Sequence, residues 1–574
     1  MMESTIQFDY KTVKCDLYTG IEECSQRGLI NATKWLSDIL LSLSDIKLSP
    51  EEIPKTDYNC GDELDIYYVA KSYFDAKEFD RCAYVTKSCM EPKTRFLHYY
   101  AKYLGNEKKR VESMTEISTP PDPTKNEVLK EINSGLKKLY STNTMDGFEL
   151  YLYGIVLKKL DLQNLALDVL MEAVHLAPMN WSAWIELSLI VSDKDKLMSL
   201  QLPDHWIRHF FFAHAYLDLL YNDEALDLFW ELQTNGFEKS NYIMAQTAIA
   251  YHNRREIDRA IEMFKNLQKS DPYRLDHLDT FSNLLYVKEM KTDLANLAHH
   301  AVKIDKYRVE TCCVVGNYYS LRGDHQKAVV YFQRALKLNP YYLSAWTLMG
   351  HEFMEMKNTN AAIHSYRQAI EVNRRDYRAW YGLGQTYELL KMYSYCVYYY
   401  KQAQQLRPYD SRMLIALGET YEKVDKIDNA LKCFYKACNV GDIEGIALIK
   451  LAKLYERLGE EDNAAAAYTK YCMDDTRTAV SEQSELYHAY KMLANYHLRR
   501  GQLDDANNYA YKCLEHSETK EEGKALLKAI AAKRGHADCP VHPSVTIDET
   551  TTENINFTTR RAPLSPRSSN SPTF

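Results

Sequence analysis

The sequence predicts an all-α protein of helical hairpins stacked into a right-handed superhelical solenoid. Three observations lead there. The words WTLMGH (346–351) and WYGLGQ (380–385) repeat at an interval of 34 residues. Within that interval, small and apolar residues return at helical spacing. Gly and Pro are scarce, 20 and 16 in 574 residues, which disfavours a turn-rich β protein.

Each element follows from that interval. Seven gapless frames of 34 residues start at 241, 275, 309, 343, 377, 411 and 445. Offset 8 reads Ala248, Ser282, Gly316, Gly350, Gly384, Gly418 and Ala452. Offset 20 reads Ala260, Leu294, Ala328, Ala362, Cys396, Ala430 and Ala464. Offset 24 is mostly aromatic: Phe264, Phe332, Tyr366, Tyr400, Phe434 and Tyr468. Offsets 4, 7, 8 and 11 share one face of a first helix, and offsets 20, 24 and 27 one face of a second. Small residues at 8 and 20 let the two helices approach, and larger ones at 4, 11 and 24 are expected to fill the spaces between hairpins. Pro272, Pro340 and Pro408 at offset 32 are expected to stop the second helix.

This pattern resembles the tetratricopeptide repeat, a 34-residue hairpin whose stacked copies present an ordered binding groove. Looser copies precede it, in 149–178, from Trp181, around "FFFAHAYLDLLYNDEALDLFW" and from about residue 63. The chain divides into a helical cap (1–55), N-terminal repeat-like hairpins (56–240, with a loop at 110–128), the seven frames (241–478), a last hairpin and capping helix (479–535) and a disordered tail (536–574). The tail offers proline-directed phosphorylation sites at Ser565 and Ser571.

Composition excludes several classes. Net charge is −8 with no basic tract, so nucleic acid is not an expected partner. No apolar run of 18 residues suggests a membrane span, and the first residues carry acids rather than a secretory leader. The 13 cysteines, an odd number among apolar neighbours, read as reduced thiols.

Motifs for chemistry fail on context. Gly382 and Gly384 form G-x-G inside a helix, without the strand or third glycine a dinucleotide site needs. His351-Glu352 begins a zinc-protease motif, but Glu355 stands where the second His belongs. Cys539 and His542 make one half of a zinc site at most. Fewer than about 65 residues follow the last hairpin, too few for an ordinary catalytic domain. The expectation is a chain with no cofactor, no metal and no activity of its own.

The inner face of such a repeat comes from first-helix offsets 2, 5, 9, 12 and 13. Those positions place Asn317, His351, Glu355, Tyr381, Gln385, Glu388, Arg412, Glu419 and Glu422 in a peptide groove. Each glutamate alone fits a solvated helix position. The cluster fits a peptide carrying arginine, held by charge-assisted bonds. Chaperone-binding repeats carry Lys at offset 5, where this chain has Cys313, Thr347, Tyr381 and Ile415.

Longer words go beyond the repeat offsets. "DPYRLDHLDTFSNLLYV", "IDKYRVETCCVVGNYYSLRGDHQKAVVYFQRALKLNPYYLSAWTLMGHEFMEM" and "DGFELYLYGIVLKKLDL" resemble the cell division cycle protein 23 family, subunit eight of the anaphase-promoting complex or cyclosome. The resemblance runs from about residue 20 to 530. It implies a non-catalytic scaffold of a cell-cycle ubiquitin ligase, in nucleus and cytoplasm, acting on mitotic cyclins and securin. It also implies a homodimer, contact with other scaffold subunits, and a groove for the C-box peptide of activator subunits. An adaptor in a chaperone or transport assembly, and an enzyme built on a repeat platform, are the alternatives.

Overall fold

A computed structural model describes residues 8–49, 54, 63–112, 126–441, 445–473, 483–515 and 520–537. Most of the expected loop at 110–128, the tail beyond 537, and with it Ser565 and Ser571, lie outside the described residues. The chain forms two compact units, divided between Ile427 and Asp428, inside the run of seven frames.

In the first unit every frame is a helix pair. Examples are Val309–Leu321 with His325–Leu338, Leu343–Glu355 with Thr359–Val372, and Tyr377–Leu389 with Tyr393–Leu406. Each pair also packs against the next, so burial propagates between neighbours. The small residues behave as their spacing predicts. A Cβ added to Gly350 would lie 2.6 Å from Tyr366 Cε1, and one added to Gly384 only 2.3 Å from Tyr400 Cε1. Gly316 stands in the same relation to Phe332. Ala328 and Ala362 are fully buried. The ring at offset 24 therefore fills the gap inside its own hairpin, and not only the space between hairpins. Tyr366 does both, since it also touches Gly382 of the following frame.

The repeated tryptophans have a polar task as well as a packing one. The Trp346 indole N–H donates to the Pro340 carbonyl at 2.8 Å, and Trp380 donates to Arg374 at 2.9 Å. Each ties a first helix to the end of the preceding frame. The expected proline stop is not what ends the second helices. They end at Ser270, Ile304, Leu338, Val372 and Leu406, always at offset 30, whether offset 32 holds proline or Lys306 or Arg374. The turn inside each hairpin is equally regular. Arg255, Glu289, Gly323, Lys357, Lys391 and Asp425, all at offset 15, have positive φ between 53° and 79°. This left-handed residue closes the first helix, and only one of these six is glycine.

Upstream hairpins are less regular. Trp181–Ile190 is followed by a single short helix, Lys194–Ser199. The first hairpin, Tyr10–Gln26 with Ile30–Ser42, does not simply cover an end. Trp35 stacks on Trp181 at 4.0 Å and meets Phe210 and Tyr242 edge-on, so this segment is built into the core of later repeats. Leu64–Asp75 and Phe79–Val85 form a further hairpin.

The second unit holds the pairs Ile446–Leu458 with Glu461–Cys472 and Gln483–Arg500 with Leu503–Lys512, closed by Lys520–Ala537. Ala430, Ala452 and Ala464 are buried there. Tyr468 shares a core cluster with Ala452 and Ala464 and donates its hydroxyl to Glu456 at 2.9 Å.

Candidate functional site

The first helices of frames 309 to 411 carry the candidate residues. All lie in the first compact unit. Helical periodicity puts offsets 2, 5, 9, 12 and 13 on one side, yet the side chains there do different things.

Asn317 is buried, and its amide donates to Ser282 Oγ at 2.8 Å and Asn283 Oδ1 at 2.6 Å. It joins two frames rather than facing solvent. His351 is exposed at its surface, with Nδ1 2.9 Å from the Tyr366 hydroxyl. The protein mass around it and the Arg378 guanidinium push the imidazole down to about 4. Glu355 is exposed on the next turn of the same helix.

Tyr381, Gln385, Glu388, Arg412, Glu419 and Glu422 form a second group, none of them buried. The Tyr381 and Tyr400 rings sit 5.3 Å apart. Glu388 accepts from the Tyr400 hydroxyl at 2.8 Å and pairs with Lys423. Tyr381 is raised above the usual tyrosine range, first by burial and then by Glu388 and Glu419, with Arg412 opposing. The Glu388 carboxylate thus stands against an aromatic pair, with Lys423 paired to it and the charges of Glu419 and Arg412 acting on Tyr381. This arrangement can hold a guanidinium against a ring face.

The structure adds a pocket that the offset rule missed. A cavity of about 460 Å³ is lined by Asp276, His277, Asp279, Glu310 and Tyr342. Asp276 bonds Lys34 at 2.5 Å and Arg308 at 2.6 Å. Burial works against its charge, but Lys34, Arg274 and Arg308 hold its carboxyl below the usual range. Asp279 is buried, and burial together with that carboxylate pushes the Tyr342 hydroxyl well up. His277 occupies a left-handed backbone position (φ 64°) before helix Leu278–Val287, which turns this corner inward. The signal existed in "LDHLDT" (275–280), whose acids sit at offsets 2 and 5, but in a frame upstream of the stretch from 309 that supplies the expected groove.

Other chemistry is not assembled. Among the described residues no group of three His, Cys, Asp or Glu could hold a metal. Cys312 and Cys313 are buried, and burial raises both thiols. No helix among the described residues is long and apolar enough to cross a membrane.

Comparison with known proteins places this repeat array. Residues 12–248 match the family model "Anaphase promoting complex subunit 8 / Cdc23". Tetratricopeptide models match 309–342, 350–391 and 411–440, the first of these being one of the frames read from the sequence. The chain is a tetratricopeptide-repeat relative of the Cdc23 proteins. It is 51% identical over 285 residues to the cell division cycle protein 23 homolog of Bos taurus, covering 49% of this chain and 47% of that protein. It is 44% identical over 272 residues to anaphase-promoting complex subunit 8 of Arabidopsis thaliana, 47% of each. The chain spans about half the length of these curated Cdc23 relatives. A chain of the crystal structure of the APC/C hetero-tetramer Cut9-Hcn1 aligns with TM-score 0.47 and 18% identity, over 82% of this chain and 96% of that one.

Proposed function

We propose that this chain is a non-catalytic scaffold subunit of the anaphase-promoting complex, a cell-cycle ubiquitin ligase, and that its first-helix face receives a basic peptide. The names of its relatives support the assembly. The repeat architecture supports the scaffold role, because each hairpin adds surface without needing a new core. Bond-making steps belong to other subunits, and the substrates are mitotic cyclins and securin. The protein works in nucleus and cytoplasm.

The single observation that carries the peptide site is the Glu388 carboxylate held on the Tyr400 hydroxyl at 2.8 Å, beside the Tyr381–Tyr400 ring pair. Such a site accepts an arginine by ring contact and charge-assisted bonds, as the C-box segment of activator subunits would require. The acidic pocket at Asp279 and Glu310 offers a second basic contact. A homodimer through the N-terminal hairpins is supported by the exposed apolar side chains Ile30, Leu41, Tyr68, Val69 and Tyr84.

Fluorescence anisotropy with a labelled C-box peptide tests the site. Glu388→Gln with Glu419→Gln is expected to weaken binding roughly tenfold, with helicity unchanged. Equal affinity would overturn the assignment. Affinity purification from dividing cells tests the assembly: recovery of cullin-like and RING subunits is expected, and recovery of chaperones alone would overturn it.

A further inference from the structure

The second helices of frames 275 and 309, Lys291–Ile304 and His325–Leu338, run against the charge of the chain. The chain carries 79 Asp and Glu against 71 Lys and Arg, yet these two helices hold one acid, Asp293, beside Lys291, Lys303, Lys327, Arg334 and Lys337. Asp293 is paired with Lys265 at 2.8 Å, and Lys327 with Asp324 at 2.9 Å. Lys303, Arg334 and Lys337, with Lys306 in the turn after the first of these helices, make no ion pair among the described residues. Lys306 stands at offset 32, where Pro272, Pro340 and Pro408 stand in other frames.

These cations border exposed apolar surface. Tyr307 is 62% exposed, with the Arg334 guanidinium carbon 4.7 Å and the Lys306 ammonium 5.9 Å from its ring centroid. Val330, Arg334, Lys337 and Leu338 follow one another at i, i+4, i+7 and i+8, so they share a face of their helix. Val330 and Leu338 are themselves exposed. The acid beside Tyr307 in sequence is already engaged: Asp305 Oδ1 accepts from the Tyr307 backbone N–H at 2.9 Å. The ring contact orients the Arg334 guanidinium and leaves its N–H fork without a carboxylate.

We propose that this face docks an acidic peptide segment of a partner protein. One carboxylate of the segment meets the Arg334 fork, further acids meet Lys306 and Lys337, and a bulky apolar residue packs on Tyr307 and Val330. Charge complementarity selects this occupant, because four cations unmatched by their own chain surround the apolar surface. A net charge of −8 acts at longer range against an extended polyanion, so a short acidic segment is favoured over nucleic acid. The face lies on second helices, and the basic-peptide groove on first helices. The two surfaces thus take ligands of opposite charge and stand independently.

Fluorescence anisotropy of the full chain with a fluorescein-labelled peptide, EDLEDFEE, tests it, with the amide analogue QNLQNFQQ and a labelled single-stranded RNA as controls. Binding of the acidic peptide is expected, weakening as salt is raised, and none of the amide analogue. The double variant Arg334→Gln, Lys337→Gln is expected to lose roughly tenfold in affinity. Arg334→Lys, which keeps the charge but not the planar fork, should lose less than Arg334→Gln. Tyr307→Ala should weaken binding with every charge in place. Circular dichroism checks the fold, and Lys306→Gln, at a turn position outside any helix, serves as the second variant. Absence of binding to wild type, equal affinity in the double variant and in Lys306→Gln, or equal binding of the amide analogue would each overturn the proposal. Tighter binding of the RNA would assign the face to nucleic acid instead. A change of oligomeric state in the double variant, read by light scattering, would assign it to a second copy of this chain. Either result overturns the proposal as well.

Discussion

Arg255 and Asp410 form an ion pair across 155 residues of chain, between the turn of one repeat and the entry of another five frames later. Asp410 is almost fully buried and also accepts from the Arg412 backbone N–H at 3.1 Å, so it caps helix Ser411–Lys423. Arg255→Ala leaves a buried carboxylate with only its cap and the long contact to Arg412. A loss of about 1–3 kcal/mol is expected, read by urea unfolding. Hydrogen exchange should rise in residues 250–256 and 407–412 before it rises elsewhere. Uniform exchange across the array would contradict a local role for the pair.

The glycines at offset 8 give a second prediction. Gly384→Ala sets a Cβ 2.3 Å from Tyr400, whose hydroxyl is fixed on Glu388. The ring cannot swing away without breaking that bond. Destabilisation of about 1–3 kcal/mol is expected from chemical denaturation. Pairing it with Tyr400→Leu should recover part of the loss, because the obstructing ring is gone.

Left-handed turn residues behave differently. Gly323 has φ 79° with nothing within 4 Å of its added Cβ, so Gly323→Ala costs only backbone strain, about 1 kcal/mol. Lys357 has φ 58° with a side chain already in that region. Lys357→Gly is expected to be neutral or to stabilise by up to about 1 kcal/mol. Thermal unfolding of the two variants distinguishes a strain effect from a packing effect, since only strain reverses sign with the direction of substitution.

Acid should weaken the first unit in a defined window. His252 and His351 lie near 4 when folded, below the ordinary 6.5. Between those values the unfolded chain binds more protons than the folded one, so stability rises with pH there. It is full above about 6.5 and falls as pH drops toward 4. The double variant His252→Gln, His351→Gln is expected to flatten that slope between pH 6.5 and 4. An unchanged profile would mean that neither imidazole is held neutral by folding.

Much of the array was legible because its contacts are local. Glycine at offset 8 and an aromatic at offset 24 lie on adjoining helices of one hairpin, so a periodic count finds them. The Trp346 and Trp380 repeat is legible for the same reason. Offset 15 was not, because most of its left-handed residues are Arg, Glu, Lys or Asp rather than glycine. The proline rule at offset 32 misled, since frames ending in Lys306 and Arg374 stop at the same place. In the candidate site, the offset rule put Tyr381 and Glu388 on one helix, where both meet Tyr400. It could not foresee that Asn317 is used between Ser282 and Asn283, or that Glu388 already holds Lys423.

By itself the sequence determined the all-α class, the 34-residue period, the small-against-aromatic packing and the likeness to Cdc23 proteins. Each is a statement about residues within one frame, or about words that need no geometry. Tertiary structure alone decided that Arg255 meets Asp410, that Arg375 donates to the Val191 carbonyl at 2.9 Å, and that Trp35 stacks on Trp181. The physical reason is accumulation. A modest rotation from each hairpin to the next is set by side-chain packing, and only its sum over several frames fixes which distant residues touch.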